Sequence, residues 1–130
     1  MKPMKTIEQT YTIKAPIAKV WQALTDTSVI EDWGAGPNVV MDDQVGTQFK
    51  LWDGEIYGKN LKVVAPKLLV QEWYSDNFMQ PSEATFSLES KGDATVLKLV
   101  HKDLADDCLK DIGDGWKDYY LGPLKDFLEG

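Results

Sequence analysis

Arginine is absent from this chain. All 14 basic side chains are lysines, set against 21 aspartates and glutamates, for a formal net charge of −7. Phosphate contact draws on a basic patch, and bidentate reading of guanine draws mostly on arginine, so no nucleic-acid partner is expected. The same charge disfavours docking on anionic lipid. Histidine and cysteine occur once each, as His101 and Cys108. A single cysteine permits no internal disulfide, and one His with one Cys cannot build a four-ligand Cys/His zinc site. The expected complement is no metal and no cofactor. No apolar run approaches the ~20 residues of a membrane helix, and Met1-Lys2-Pro3-Met4-Lys5 leads into polar residues rather than a signal-peptide core. A cytoplasmic protein without membrane insertion is the expectation.

Aromatic side chains, by contrast, are plentiful: five Trp, five Tyr and four Phe in 130 residues. At this length folding buries roughly 67% of the unfolded chain's surface, enough for a sizeable core. No repeat, low-complexity stretch or linker-like composition divides residues 1–130, which read as one domain.

Hydrophobic periodicity orders the elements. Over residues 7–14, Ile7, Gln9, Tyr11 and Ile13 alternate with Glu8, Thr10, Thr12 and Lys14, the signature of a half-buried strand. Ala15-Pro16 opens a helix with Ile17, Val20, Trp21 and Leu24 on its apolar stripe. Ser28 and Glu31 read as a capping box for a short second helix carrying Val29, Ile30 and Trp33. Gly34-Ala35-Gly36-Pro37 ends it, and no Gly-Lys-Ser/Thr follows to make a phosphate loop. Residues 47–52 and 55–64 flank Asp53-Gly54, the sequence of a two-residue type I′ hairpin turn. Further strands are expected at 68–75, 83–90 and 95–102, joined by polar turns as in a meander. From Ile112 the period becomes helical through Trp116, Tyr119, Tyr120, Leu124, Phe127 and Leu128. Gly113 and Gly115 bracket its expected start, with Asp114 as a cap. Pro123 predicts a kink, because it lacks a donor and crowds the Tyr119 carbonyl.

This order, and several local runs, resemble a known family. The runs are Ile13-Lys14-Ala15-Pro16 with Val20-Trp21-Gln22-Ala23-Leu24-Thr25, then Trp33, Gly46-Thr47-Gln48-Phe49, Asp53-Gly54-Glu55-Ile56-Tyr57-Gly58, residues 66–73, and Gly115-Trp116-Lys117-Asp118-Tyr119-Tyr120. The chain resembles the helix-grip fold of the START and birch-pollen-allergen superfamily, an α+β fold. In it a curved antiparallel sheet wraps a long C-terminal helix, and two short helices follow the first strand. Within that superfamily it is similar to the C-terminal domain of the activator of the heat-shock-protein-90 ATPase. The similarity covers about residues 7–128; the eukaryotic activator's large N-terminal domain has no counterpart in these 130 residues.

The resemblance implies a binding module without enzymatic activity, with an apolar interior space, a partner-docking face, or both. Its expected partners are an apolar small molecule and a chaperone or other protein. Candidate lining residues are the aromatics Trp33, Phe49, Tyr57, Trp73, Phe86, Trp116, Tyr119 and Tyr120. Leu88, Leu97, Leu99 and His101 join them on the same strand faces. An opening is expected between the helix at Trp116 and the strand containing Trp73. Asp103, Asp106, Asp107, Asp111 and Asp114 form an acidic cluster without a calcium-loop pattern; Asp106, Asp107, Asp111 and Asp114 are the candidate docking residues. The carboxylates around Cys108 would raise its thiol pKa, against a reactive thiolate. Two alternatives remain: a true co-chaperone that stimulates the chaperone's ATPase, and a small cyclase- or hydrolase-like enzyme using His101 or the tyrosines. As a base His101 would need a supporting carboxylate, and Asp103, two residues on, shares its expected face.

Overall fold

The computed structural model describes residues 4–75, 81–105 and 109–130. Strand β1 (Met4–Ile13) leads into helices α1 (Ile17–Thr25) and α2 (Thr27–Trp33). Five strands follow: β2 (Gln48–Leu51), β3 (Ile56–Val64), β4 (Leu68–Ser75), β5 (Ser82–Lys91) and β6 (Ala94–Ala105). A continuous helical segment ends the chain, built from α3 (Leu109–Gly115), a wide π turn (Trp116–Leu121) and α4 (Gly122–Glu129). The six strands make one antiparallel sheet in the order β1-β6-β5-β4-β3-β2. It is curved, and the helical segment packs on its inner side, the helix-grip arrangement.

Period-two patterning explains which face is buried. Leu69, Gln71, Trp73 and Ser75 of β4 point inward, as do Ala84, Phe86 and Leu88 of β5 and Leu97, Leu99 and His101 of β6. Two bulges adjust the pleat. Leu61 is the extra residue of β3 between the pairs Asn60↔Gln71 and Lys62↔Val70. On β6, Lys102 and Asp103 together oppose Thr6, and Asp103 takes a left-handed φ of 68°. This overturns the expected shared face of His101 and Asp103: the bulge turns Asp103 outward and Leu104 inward. No Asp103 carboxylate therefore supports the imidazole from the core.

Three local readings change as well. The cap of α2 is Asp26, whose Oδ1 accepts from the backbone N–H groups of Ser28 (2.9 Å) and Val29 (3.2 Å) and from the Ser28 hydroxyl (2.7 Å). The Ser28 hydroxyl and these amides hold the Asp26 carboxyl below its ordinary range; no Ser28–Glu31 box is needed. The β2–β3 hairpin has a four-residue connection, since Leu51 pairs with Ile56. Trp52, Asp53 and Gly54 all take positive φ, at 48°, 58° and 90°. The two-residue turn fails because Trp52 leaves the ladder to join the core.

The C-terminal segment absorbs Pro123 by widening rather than by the expected kink alone. The Gly122 N–H reaches back five residues to the Lys117 carbonyl, so the ladder is already shifted when the proline arrives. A side chain at position 122 would collide with that carbonyl oxygen, which restricts the position to glycine. The helix also begins earlier than expected. Gly113 and Asp114 lie inside α3, and Asp114 accepts from Lys110 Nζ (3.1 Å) one turn back instead of capping.

Candidate binding site

The inner face of the sheet carries a line of buried polar groups. At one end, on the helical segment, the Trp116 indole N–H donates to His101 Nδ1 at 2.9 Å. An indole nitrogen only donates, so Nδ1 must hold a lone pair and the neutral imidazole carries its proton on Nε2. That proton points at Ser82 Oγ, 2.7 Å away. The Ser82 hydroxyl in turn donates to the Trp73 carbonyl over a long 3.4 Å. Burial pushes the His101 pKa down to about 4, so it is neutral at pH 7.

The line continues from the other end of Trp73. Its indole N–H donates to Gln71 Oε1 (2.9 Å), and Gln71 Nε2 donates to Asn60 Oδ1 (3.0 Å) and contacts Met41 Sδ (3.5 Å). Asn60 Nδ2 then donates to the carbonyls of Asp42 (2.9 Å) and Gln44 (3.0 Å). The Asn60 backbone bonds Gly46 and Thr47 of the same loop. Every donor in this series has an acceptor, and all point from the C-terminal helix toward the 42–47 loop. Such a chain fixes positions well and leaves its donors no spare hydrogen. For His101 the consequence is chemical. Its Nε2 faces Ser82 with a proton rather than a lone pair, so it cannot withdraw the Ser82 proton in this arrangement.

Beside the line sits an aromatic cluster centred on Tyr120. Trp33 and Trp116 lie 4.8 Å from its ring, Phe86 5.7 Å, and Trp52 and Trp73 6.0 Å. The rings of Trp73 and Trp116 are themselves 4.6 Å apart. These two rings meet at the place where an opening is expected. Among the described residues two buried polar atoms have no hydrogen-bond partner: the Tyr120 hydroxyl and the Trp21 indole N–H. Full burial pushes the Tyr120 pKa up, keeping the phenol protonated.

Of the expected lining residues, Trp33, Phe49, Trp73, Phe86, Leu88, Leu97, Leu99, His101, Trp116 and Tyr120 are brought together in one core. Two are not. Tyr119 is 68% exposed on the outer side of the helix, because the π turn sends only Trp116, Tyr120 and Leu121 inward. Tyr57 is 43% exposed on the outer face of the sheet, one residue out of phase with buried Gly58. There Tyr57 stacks on Tyr74, ring centroids 5.5 Å apart and planes 8° from parallel. The Tyr74 hydroxyl donates to Glu72 Oε1 at 2.6 Å, which raises its pKa. Of the acidic docking candidates, Asp111 and Asp114 are exposed on α3, while Asp106 and Asp107, with Cys108, lie outside the described residues. Trp52, Asn60, Gln71 and Ser82 were not singled out from sequence. For Gln71 the signal was present, since it shares its parity with Leu69 and Trp73.

A curved sheet gripping a C-terminal helix over an aromatic, hydrogen-bonded core defines a helix-grip domain. Residues 14–129 match the model of the family described as Activator of Hsp90 ATPase homolog 1-like protein, and the chain belongs to that family. It is similar in structure to an HSP90 activator from Plasmodium falciparum, with a TM-score of 0.86, 24% identity and 95% of each chain covered. It also resembles CalU16 from Micromonospora echinospora, with a TM-score of 0.79 and 30% identity over 96% of this chain and 75% of that one. A protein of Schizosaccharomyces pombe is 25% identical over 121 residues, 92% of this chain. The chain spans about a third (36%) of that relative's length.

Proposed function

We propose that this chain is a protein-docking module that binds a chaperone of the Hsp90 class through the outer face of its sheet and modulates the chaperone's ATPase. The observation that carries the reading is the stacked Tyr57–Tyr74 pair, displayed to solvent beside exposed Leu61 and Val64. Aromatic rings held rigid before contact are effective anchors, because little side-chain entropy remains to be lost. Lys50 and Lys59 flank Tyr57 on the same face, and Lys62 follows beyond the Leu61 bulge. No carboxylate of the described residues forms an ion pair with these three lysines. A partner surface that offers acidic groups around an apolar centre would complement them. The family description and the likeness to an HSP90 activator support the choice of partner. The single domain and the cytoplasmic setting expected from sequence belong to the same proposal.

A pull-down with purified Hsp90, paired with its steady-state ATPase rate, tests this. Wild-type chain is expected to bind and change the rate, while the double variant Tyr57→Ala/Lys59→Glu binds at least about tenfold more weakly. Loss of binding in Asp111→Asn/Asp114→Asn alone would move the docking face to α3. No binding and no rate change at saturating chain would sink the proposal.

A further inference from the structure

The two edges of the sheet are finished differently. At β2 the preceding loop covers the edge. The Val40 N–H donates to the Lys50 carbonyl (3.0 Å), and the Lys50 N–H donates to the Val40 carbonyl (2.9 Å). At the other end of the strand order lies β1, 10 residues long and paired on one side only, with β6. Among the described residues its backbone makes one hydrogen bond outside that ladder, where the Ala15 N–H donates to the Ile13 carbonyl (2.8 Å) at the strand's end. Alternate residues of an antiparallel strand turn their N–H and C=O groups to opposite sides, so a row of donors and acceptors lies open along β1.

Bare edges are ordinarily blunted by proline, charge, bulges or shortness. β1 uses little of this. The bulge of β6 lies opposite Thr6, and residues 7–13 keep an unbroken register. From Thr6 to Ile13 there is no proline or glycine and one charged residue, Glu8. Thr6, Ile7, Thr10, Tyr11, Thr12 and Ile13 all favour strands.

The side chains select what fits this edge. Glu8, Thr10, Thr12 and Lys14 are exposed on the outer face, while Ile7, Gln9 and Tyr11 are half-buried and Ile13 is buried on the inner one. Directly opposed residues of an antiparallel pair share a face. Two copies of β1 related by a twofold axis therefore pair only in registers that preserve this parity. Centring on Glu8 sets its carboxylate against itself. Centring on Gln9 or Thr10 sets Glu8 opposite Thr10 or Thr12 of the second copy. Centring on Tyr11 sets Glu8 opposite Lys14 of the second copy, twice by symmetry, and Thr10 opposite Thr12. It also brings the two Tyr11 rings together at the axis. Each Tyr11 packs on its own core and donates its hydroxyl to Gln9 Oε1 (2.7 Å), so the ring is held in place before contact.

We infer that two copies of this chain form a symmetric dimer through β1, pairing edge to edge, antiparallel and centred on Tyr11, so that their sheets join into one. The contact is isologous and closes on itself, leaving each copy only its covered β2 edge. Glu8 already lies 3.9 Å from Lys98 Nζ on β6, so in the dimer its carboxylate stands between two ammonium groups. The docking lysines Lys50 and Lys59 are on β2 and β3, at the other end of the strand order. Chaperone binding and this dimer can therefore fail separately.

Sedimentation velocity of the whole chain over a concentration series tests the inference. Wild type is expected to pass from 14.6 kDa to twice that mass as concentration rises. Glu8→Lys and Lys14→Glu each set like charges face to face at both ends of the contact, and each is expected to weaken association about tenfold. The double variant Glu8→Lys/Lys14→Glu restores opposite charges in this register and is expected to recover most of the affinity. All of these substitutions are on exposed side chains, and melting temperatures report whether the variants fold. Recovery separates a direct pairing from a general effect on β1, since the new Lys at position 8 faces Lys98 in both the single and the double variant. Wild type that stays at 14.6 kDa up to about 1 mM would overturn the inference. So would a dimer indifferent to Glu8→Lys, or a double variant as weak as the single ones.

Discussion

Two neighbouring groups in one core, the Gln71–Trp73–His101–Trp116 line and the Tyr120 phenol, receive opposite treatment. In the line each donor has an acceptor, six residues long from Trp116 to Asn60. At Tyr120 the donor has none among the described residues. Burial alone does not separate them, since Gln71 and His101 are 0% exposed and Tyr120 is 1% exposed. What differs is the element opposite. The line runs across adjacent strands whose register places polar side chains within reach of one another, whereas Tyr120 projects from a π turn into rings. Satisfied buried polar groups act as structural pins, and an unsatisfied one is a cost.

The contrast can be broken at its strong end first. Trp116→Ala removes the ring packed on Trp73, Phe86 and Tyr120 and the donor to His101, and should cost about 3–5 kcal/mol in urea unfolding. A loss below about 1 kcal/mol would mean that the line pins nothing.

Acid should break the line next, at His101. Its folded pKa of about 4 lies below the ordinary 6.5, so between those values the unfolded chain binds the extra proton. Stability is therefore full above pH 6.5, falls as pH drops through 6.5 toward 4, and is lower by about 3 kcal/mol below pH 4. His101→Gln should lack that component. Parallel pH profiles of wild type and variant isolate it from the carboxylates common to both.

Gln71→Leu keeps the volume but strands the Trp73 indole N–H and Asn60 Oδ1, for a predicted loss of about 2 kcal/mol. Thermal unfolding of this variant alongside Tyr120→Phe sharpens the comparison. The tyrosine variant removes an oxygen that has no partner, and its stability should match or exceed wild type by up to about 1 kcal/mol. A destabilisation comparable to that of Gln71→Leu would show that the phenol is satisfied after all.

Most of the strand pattern was legible. The expectation of 68–75 coincides with β4 (Leu68–Ser75), and the neighbouring strands differ by a residue or two at most ends. Strand parity is a property of the chain itself, because successive side chains must alternate. The errors fall where something outside the chain segment decides. Asp103 follows His101 by two residues but is turned outward by a bulge set against β1. Tyr57 has an aromatic neighbour on β4, and its phase follows Gly58, where a side chain would collide with the Glu72 carbonyl. Tyr119 fits a helical stripe of ordinary pitch and misses once the turn widens before Pro123.

The sequence by itself determined the order of elements and most of the inward aromatics, since periodicity needs no partner, and its local runs carried the likeness to the family. Of the lysines that supply all the chain's positive charge, Lys50 and Lys59 beside Tyr57 form no ion pair with a carboxylate of the described residues. Only the tertiary structure decided which buried polar groups are paired. Hydrogen bonds reach about 3 Å, and residues as distant in the chain as His101 and Ser82, or His101 and Trp116, come that near only when the sheet curves around its helix. The proton on His101 Nε2 and the unanswered hydroxyl of Tyr120 are consequences of that closure, and no reading of composition or period contains them.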